Sequence, residues 1–507
     1  MSKQIRTLLI AGVAVLVLVA LLLGLLFLLP SGEEEEESSS SSDTSITLLD
    51  KSTDENGDTI SDPVSQAVFS QGGASYTIAP DEEGEMRVAG FDDLPVSTSA
   101  VSAMANNFAT ITATRKVADT SENEADFGLD EPQATAEITY ADGTVVTAEL
   151  GDETPLEDGY YFRLSTDEAI YIVSTSLGSR MLDKAEAYVG TSLIVAPSTR
   201  EDDENGQAVV YGMDLSGTVR ASKPFSVRVY EEGDPSSLSS FGYVIDSPSM
   251  AGVSQNEDVQ SLFSSATSLS ATDTEKAHPT SEDLAEYGLD NPYSVCELTL
   301  AIQSSSTDED DNTVIIYYNK TEHTIRLGNK NDDGYYYALI DDYDAVFLVS
   351  ASSVPWAEAQ YADVVNTFLF SNNIVDVASI SVTADGEETT FELEHFPDAE
   401  SNDEKLTVTV DGTVYPTSDF RSLYQVFMQV ERYGETDETP AGDPDVVFTV
   451  NLSDDSTPDV VARFYKQSAS VYICAIEGGD TYTVKASDVE NMLTQVQRYL
   501  NGEEVDN

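Results

Sequence analysis

The histidines, serines and glycines of this chain are the residues whose spacing could indicate catalysis or metal binding. The three histidines, His278, His323 and His395, have no second histidine at the spacing of zinc ligands. The serines form neither a Gly-x-Ser-x-Gly elbow nor a Ser-x-x-Lys motif with its companions, and no glycine-rich phosphate loop is present. No carboxylate pair stands out as a general acid and base. The sequence therefore predicts a non-enzymatic protein without catalytic, cofactor-binding or metal-binding residues.

One polar segment, residues 329–334, resembles the beginning of a calcium loop. Its twelfth position is Ile340, where such a loop needs an acidic residue. We therefore favour a polar turn over a calcium site here. The pairs Gly72-Gly73 and Gly478-Gly479 are also predicted to be turns.

Aromatic residues are concentrated at two predicted hairpins, with Tyr160-Tyr161 in one and Tyr335-Tyr336-Tyr337 in the other. Such side chains could form a surface on which a glycan stacks. Adjacent residues of a strand point to opposite faces, however, so at least one tyrosine of each hairpin should be in the core. We favour the core interpretation, and we expect Trp356, the only tryptophan, to be a packing anchor.

The two cysteines, Cys296 and Cys474, both lie in β-like segments. Two buried free thiols are favoured over a disulfide, and two cysteines alone cannot form a thiolate metal site.

The charge of the chain limits its partners. It has 92 acidic and 24 basic residues, for a formal net charge of −68. This charge repels nucleic acid and anionic lipid headgroups. The acidic residues are spread along the chain, which favours adaptation to a salty or cation-rich exterior over a dedicated cation-binding surface.

The N-terminus contains the most apolar segment. Residues 7–29 are 23 residues without a charge, which is long enough to span a bilayer as a helix. Lys3 and Arg6 precede this segment and an acidic run follows it, so the N-terminus is predicted to be cytoplasmic and the rest extracytoplasmic. A retained single-pass anchor in the cell membrane is favoured over a cleaved signal peptide, because the segment is long and lacks a good cleavage site. Residues 31–44 are predicted to be a disordered acidic and serine-rich tether.

Apolar residues recur three times with offsets of 0, 3, 4, 7 and 10, which predicts one face of an amphipathic helix. The starting positions are 158 and 161 residues apart. The three sets are Val101, Met104, Ala105, Phe108 and Ile111; Val259, Leu262, Phe263, Ala266 and Leu269; and Phe420, Leu423, Tyr424, Phe427 and Val430.

A second repeated feature is a turn that follows the first two of these helices. Each copy begins with a predicted capping box, at Ser121 and at Thr280, and ends with a Gly-Leu-Asp-x-Pro segment. Glycine should end the short helix in the left-handed conformation, and proline should prevent its continuation. In the third copy only Gly442-Asp443-Pro444 remains. The residues of this structural motif are Gly128, Leu129, Asp130 and Pro132, and Gly288, Leu289, Asp290 and Pro292.

Strands are predicted after each turn, with Asp-Gly hairpins of type I′ at residues 142–143, 158–159, 333–334 and 411–412. Helices are predicted at 177–188, 355–365 and 486–500. The sequence thus predicts an α+β fold of three tandem units of mixed β-sheet with packed helices, preceded by one transmembrane helix. The predicted divisions are a cytoplasmic stub and anchor (1–30), the tether (31–44) and units at 45–200, 207–366 and 375–507.

The apolar N-terminus, the tether and the paired Gly-Leu-Asp-x-Pro segments resemble a family of exported proteins known as domain of unknown function 4340. In both copies a Gly-Asp or Gly-Asn pair and a tyrosine hairpin follow. The resemblance implies an accessory role beside an ATP-binding-cassette permease and ATPase, and it supplies no catalytic residues.

Two functions follow as hypotheses. The first is a non-enzymatic, membrane-anchored extracytoplasmic accessory or scaffold protein of an ATP-binding-cassette transport system. The second is a cell-surface binding module for a cell-wall glycan or for cations. Exposed aromatic residues in a groove would favour the second.

Overall fold

A computed structural model shows how the chain folds. It describes residues 45–54, 56–120, 123–203, 205–231, 233–234, 238, 242–307, 313–368, 372–401, 404–436, 438–453 and 459–506. The predicted membrane span at 7–29 and the predicted tether at 31–44 lie outside the described residues.

Most of the described chain forms β-strands, numbered here in chain order. The strands between residues 46 and 173 are β1 (Ile46–Asp50), β2 (Val64–Gln71), β3 (Ala74–Pro80), β4 (Met86–Val88), β5 (Thr110–Ala113), β6 (Arg115–Ala118), β7 (Ala134–Tyr140), β8 (Val145–Glu153), β9 (Tyr160–Leu164) and β10 (Ile170–Val173). Those between 192 and 349 are β11 (Ser192–Ile194), β12 (Gln207–Ser216), β13 (Phe225–Val229), β14 (Tyr243–Ser247), β15 (Ala251–Gly252), β16 (Leu269–Ser270), β17 (Asp273–Ala277), β18 (Ser294–Thr307), β19 (Thr313–Lys330), β20 (Tyr336–Ile340) and β21 (Ala345–Val349). Those between 377 and 485 are β22 (Val377–Ala384), β23 (Glu387–His395), β24 (Leu406–Val410), β25 (Thr413–Tyr415), β26 (Arg432–Glu435), β27 (Val446–Leu452), β28 (Val460–Lys466), β29 (Val471–Ile476) and β30 (Thr481–Lys485).

Most of these strands form three large sheets with one common strand order, and β1 with β5 and β11 with β16 form two small two-stranded sheets. The first sheet has the order β4-β3-β2-β7-β8-β9-β10-β6, the second β15-β14-β13-β12-β18-β19-β20-β21-β17, and the third β25-β24-β23-β22-β27-β28-β29-β30-β26. In each sheet an early and a late group of strands meet at the centre, and one strand that lies between the two groups in sequence, β6, β17 or β26, closes the far edge. The first sheet differs only in having three early strands instead of four.

The predicted fold class is wrong in its sheets. Every described pairing between strands is antiparallel, as at Phe69↔Ala136, Leu215↔Cys296 and Val382↔Phe448. The fold is mostly antiparallel β-sheet rather than α+β with mixed sheets. The physical reason is that short hairpins connect successive strands, and a hairpin reverses the chain direction. The fold class also included a transmembrane helix, which is not seen: within the described part of the chain, no helix is long and apolar enough to cross a membrane.

Helices are the minority element of the fold. The α-helices are α1 (Thr98–Ala109), α2 (Thr175–Leu182), α3 (Glu257–Ala266), α4 (Ser281–Glu286), α5 (Tyr361–Val364), α6 (Thr417–Met428) and α7 (Ala486–Leu500). The predicted helix at 486–500 is confirmed. The one at 177–188 is α2 followed by a 3-10 turn, Ala185–Tyr188, and the one at 355–365 is a 3-10 turn, Pro355–Ala357, followed by α5.

The repeated apolar spacing is confirmed for four of its five positions. Helices α1, α3 and α6 contain the first four residues of each set. The fifth residue lies past each helix: Ile111 is in β5, Leu269 is in β16, and Val430 follows α6. All three are buried, since the chain continues along the core after the helix ends.

The buried apolar residues form three clusters, one per large sheet. The second cluster also contains Leu94, Val189, Leu193 and Ile194, which precede the second sheet in sequence. The first and second sheets are therefore joined through apolar packing. The third sheet has a separate cluster that includes α6 and α7. The buried apolar cores of the second and third sheets are therefore not continuous.

Candidate functional site

A cavity of about 230 Å³, lined by polar and apolar residues, lies where the second and third sheets meet. The second sheet and the segment after it contribute Ala251 and Gly252 of β15, Tyr361 of α5, and Phe368. The third sheet contributes Arg432 of β26, Tyr482 of β30 and the turn between β29 and β30. The cavity is therefore built by residues that are far apart in sequence.

The turn before β30 places a carboxylate at this junction. Gly478 has a φ of +75°, a left-handed conformation that glycine adopts without strain. The N–H of Gly479 donates to the carbonyl of Ile476, and the N–H of Ile476 donates to the carbonyl of Asp480. The predicted turn at Gly478-Gly479 is confirmed, and it ends with Asp480 facing the second sheet.

Asp480 collects the polar contacts across the junction. The Tyr361 hydroxyl donates to it at 2.5 Å, Lys223 Nζ lies at 3.4 Å and Arg432 Nη1 at 3.6 Å. Burial alone would raise the pKa of Asp480, but the Tyr361 hydrogen bond and the charges of Lys223 and Arg432 outweigh it and hold the pKa below its usual value. Asp480 therefore stays ionised at neutral pH and fixes the Tyr361 hydroxyl as a donor.

Arg432 lies between two aromatic rings. Its guanidinium carbon is 4.2 Å from the ring centroid of Tyr482 and 5.5 Å from that of Tyr361, at cation–π distances. Only 10% of its side chain is exposed. Within the described chain, Nε and Nη1 of Arg432 donate no hydrogen bond.

Asn372 is the second buried polar residue that lines the cavity. It is 2% exposed, and neither its Oδ1 nor its Nδ2 has a hydrogen-bond partner among the described residues. Its backbone carbonyl, in contrast, accepts a hydrogen bond of 2.7 Å from the Tyr424 hydroxyl. The backbone is thus fixed while the amide is left unsatisfied.

The rim of the cavity combines apolar and acidic side chains. Phe368 and Met250 are each 42% exposed, and the carboxylates of Asp459 and Glu477 lie nearby. The arrangement can donate hydrogen bonds from its interior, accept them at its rim and pack against an apolar group. These are binding contacts.

Sequence reasoning missed Arg432, Asn372 and Asp480. A usable signal was the scarcity of basic residues: in a chain of 92 acids, each of the 24 cations is informative. Lys223 and Arg432, from different sheets, both reach Asp480. Their meeting could not be predicted because it depends on the packing of two sheets.

The predicted repeat motif has a structural role and does not line the cavity. Gly128 and Gly288 have φ of +66° and +72°, and Leu129 and Leu289 are buried, as predicted. The capping box at Thr280 is present, with reciprocal hydrogen bonds to Asp283. Ser121, the start of the other predicted box, lies outside the described residues. In neither copy do Asp130, Pro132, Asp290 and Pro292 reach the cavity.

Each motif turn packs on a second glycine in the neighbouring strand. A Cβ at Gly151 would lie 2.1 Å from the carbonyl oxygen of Phe127, and one at Gly328 would lie 2.2 Å from that of Tyr287. The glycines of the Gly-Asp and Gly-Asn pairs, Gly151 and Gly328, therefore allow the motif turn to approach the strand. Gly442 of the third copy has open space around it, so this contact is not repeated there.

The tyrosine hairpins of the first and second sheets are equivalent, but Tyr160 occupies the position of Tyr336, the second tyrosine of its hairpin. Tyr160 pairs with Val173 in β10, and Tyr336 pairs with Val349 in β21. Tyr336 is 2% exposed, which confirms the core interpretation for this hairpin. The next residue in each packs on the motif turn, with ring centroids 5.0 Å apart for Phe127–Tyr161 and 4.4 Å for Tyr287–Tyr337.

The hairpin turns differ from the predicted type in three of four cases. Type I′ needs positive φ at both central residues, and this holds for Asp411-Gly412. At residues 142–143 and 333–334 only the glycine has positive φ, and at 158–159 neither residue does. An Asp-Gly pair also fits a longer loop with one left-handed glycine, and sequence does not separate the two.

The thiols and the tryptophan are buried as predicted. Cys296 and Cys474 are free and fully buried. Burial raises the pKa of both, that of Cys474 to about 12. Trp356 is 1% exposed.

One group of side chains among the described residues has the spacing of a metal site. Ligand atoms of Asp93, His278 and Asp344 lie within 4.8 Å of one another, and all three residues are exposed. His278 Nε2 is 3.0 Å from Asp93 Oδ1, so the two side chains already satisfy each other. At residues 329–334 the predicted polar turn is confirmed: Asn331 Oδ1 accepts hydrogen bonds from the N–H groups of Asp333 and Tyr335.

Fold and site together define a class of protein with successive antiparallel sheets and a cavity between the last two. The model of a family described as domain of unknown function (DUF4340) matches residues 87–205 and 244–456, more than half of the chain. The chain belongs to this family, as its repeat motif predicted. No curated protein and no solved structure matches it.

Proposed function

We propose that this protein is a non-enzymatic accessory protein that binds at the junction of its second and third sheets. The observation that carries the proposal is the buried side chain of Asn372, which lines the cavity and whose Oδ1 and Nδ2 lack hydrogen-bond partners in the described chain. A buried unsatisfied polar group costs about 1–3 kcal/mol. A bound molecule that supplied these partners would recover that free energy, so the cavity favours an occupied state.

The titration of the nearby groups supports binding over bond making. Burial and the hydrogen bond to Asp480 raise the pKa of Tyr361 to about 12. Burial likewise raises the pKa of Cys474 to about 12. A hydroxyl or thiol that keeps its proton at neutral pH is a donor and a poor nucleophile.

The setting we propose is extracytoplasmic, beside an ATP-binding-cassette permease and its ATPase. The family resemblance motivates this partner, and the strongly acidic composition is consistent with an exterior location. The protein would hold a partner or a transported molecule through equilibrium contacts.

Affinity purification of the tagged full-length chain from native membranes tests the partnership. We expect a polytopic permease and an ATPase subunit to co-purify, with the untagged strain as the control. Activity assays with ester, peptide, glycoside and phosphate substrates test the absence of catalysis. Turnover that is lost on changing one residue would place the protein among the enzymes.

A cell-surface binding module for a glycan or for cations is the second candidate. The aromatic and polar lining of the cavity favours a glycan. The exposed group at Asp93, His278 and Asp344 is the place to test for cations. Calorimetry with zinc or calcium, compared between the native chain and His278→Ala, decides that part.

A further inference from the structure

We infer that the ribbon formed by the paired strands β18 and β19 is a self-association surface, at which the open edge of β19 pairs with the same edge of a second copy of this chain. The inference goes beyond the binding role proposed above and does not depend on the cavity. It follows from the length of the ribbon, the apolar residues on its edge and the charge of the whole chain.

The ribbon extends past the strands that flank it. Strand β18 has 14 residues, whereas its counterparts in the first and third sheets, β7 and β27, have 7 each. On one side, β12 pairs with β18 no further than Gln303. On the other side, β20 pairs with β19 only from Ile325 onward. Among the described residues, the edge of β19 at 313–323 therefore has no strand beside it.

The open edge carries apolar side chains that are not covered. Val314, Ile315 and Ile316 are 39%, 52% and 38% exposed, and residues 313–318 contain no charge. The residues opposite them on β18 are serine and threonine. Native proteins blunt an edge strand with charges, proline or a bulge, so a regular apolar edge indicates pairing with another strand.

The base of the ribbon is held in place. The Tyr318 hydroxyl donates to Asp203 at 2.7 Å, and the guanidinium carbon of Arg200 lies 4.0 Å from the Tyr318 ring centroid. Asn319, which has a φ of +51° at the register shift of the ribbon, donates from Nδ2 to the carbonyl of Ser198 at 2.8 Å. Because these contacts fix the base, pairing of the edge costs less conformational entropy than ordering a loose loop.

The charge of the chain favours a second copy as the occupant. Each copy has a formal net charge of −68, so contact between the bodies of two copies is opposed by repulsion. A projecting ribbon allows contact while the bodies stay apart, and charges separated by more than the Debye length of ~8 Å are largely screened at physiological salt. A second copy supplies an edge of the same uncharged, β-branched and aromatic residues.

The direction of pairing follows from the acidic residues 308–311, which link β18 to β19 in sequence. An antiparallel pairing keeps these links at opposite ends of the interface, whereas a parallel pairing would bring like charges together. An antiparallel pair of identical strands has two-fold symmetry, which closes the assembly as a dimer.

Two-fold symmetry also restricts the register. Opposite residues of an antiparallel pair point to the same face of the sheet, so the axis must pass between a residue and its own copy. Ile316 is the centre of the apolar run of this edge. With the axis there, Ile315 lies opposite Tyr317 and Val314 lies opposite Tyr318 of the other copy. Pairs of β-branched and aromatic residues are favourable across strands.

Sedimentation velocity of the full-length chain over a range of concentrations tests the association. We expect a monomer–dimer equilibrium that is tighter at about 500 mM than at about 50 mM NaCl, because salt screens the repulsion between copies. An interface made of ion pairs would respond in the opposite direction. A chain that stays monomeric at both salt concentrations overturns the inference.

Ile316→Lys is the informative variant, because it places two like charges opposite each other at the axis. We expect it to weaken the dimer by about tenfold or more, with little change in the melting temperature. The matched control is Val145→Lys, the same kind of change at a residue of β8 that is 53% exposed. The N-terminal apolar segment is identical in all of these chains, so it cannot cause a difference between them. An equal effect of the two variants rejects the ribbon as the contact.

A mixture of Ile316→Lys and Ile316→Glu chains tests the position of the axis. Each variant alone should be largely monomeric. An equimolar mixture should form dimers again, because opposite charges then face each other across the two strands. A mixture that stays monomeric shows that the axis does not lie at Ile316 and overturns the register.

A strand of another protein is the alternative occupant. If the native chain is monomeric and a protein that co-purifies with it is lost from Ile316→Lys, the edge pairs with that protein and the assignment of a second copy fails. Co-purification of a permease that is equal in the native chain and Ile316→Lys supports the proposed function separately from the ribbon.

Discussion

The hydroxyl of Tyr361 donates a 2.5 Å hydrogen bond to Asp480, linking the helix that follows the second sheet to the turn before the last strand of the third. Lys223 lies against the same two residues, 3.9 Å from the ring centroid of Tyr361 and 3.4 Å from Asp480 Oδ2. Apolar packing joins the first two sheets, whereas polar contacts contribute strongly to this second junction. A polar junction responds to pH and to single polar substitutions.

The hydrogen bond itself should be measurable. Tyr361→Phe removes the donor and leaves Asp480 with less compensation for its burial, so we expect a loss of ~1–2 kcal/mol in the free energy of unfolding. Urea denaturation followed by fluorescence measures it. Tyr433→Phe is the control, because Tyr433 is 61% exposed, and an equal loss there would contradict the assignment.

Acid should weaken the junction through Asp480. Its pKa is lowered in the folded protein, so the stabilisation is complete above the unfolded-state pKa, near 3.9, and is lost as the pH falls through the lower folded-state pKa. Unfolding free energy measured between pH 5 and pH 2 should fall less steeply in Asp480→Asn than in the native chain. Parallel slopes in the two proteins would rule out this contribution.

Replacing Gly328 should disrupt the turn packing of the second sheet. Gly328→Ala places a Cβ 2.2 Å from the carbonyl oxygen of Tyr287, and we expect a loss of at least ~2 kcal/mol, in the range of other overpacked sites. Gly212→Ala is the matched control, since Gly212 also lies in a strand of this sheet and its nearest contact would be 3.8 Å away. Thermal and urea denaturation compare the two, and similar losses would show that the approach of the turn is not the cause.

Arg220 should be essential for stability. It is 1% exposed, and its Nη1 donates to the carbonyls of Ala357 and Ala359 at 3.0 and 2.9 Å. It thereby holds the turn that contains Trp356 against the second sheet. Arg220→Met leaves several buried carbonyls unsatisfied, and we expect a loss of ~3 kcal/mol or more. Arg115→Met, at an exposed position on β6, should change stability little.

The thiols should be unreactive in the native protein. Cys296 and Cys474 are fully buried and their pKa values are raised. A thiol reagent should therefore modify neither until denaturant is added, and then modify both. Rapid labelling of the folded chain would contradict the burial of these strands.

Local features of the fold could be predicted because they depend on neighbouring residues. The helical spacing of apolar residues identified the apolar faces of α1, α3 and α6. The capping box at Thr280 and the left-handed conformation of Gly288 were recognisable from residue types alone. The predicted fifth position of each helical set was wrong, since a buried residue such as Ile111 contributes to the same pattern when it lies in a strand. Periodicity reports burial and does not by itself show where a helix ends.

The sequence by itself determined the acidic character of the chain, its amphipathic helices, its capped turns and its membership of the family, because each of these is carried by residues close together in the chain. The tertiary structure alone decided the antiparallel strand order, the approach of Gly288 to Gly328, and the meeting of Tyr361, Arg432 and Asp480. Strand pairing and sheet packing bring together residues separated by tens to more than a hundred positions. No local pattern encodes which distant partner a strand edge or a buried charge will find.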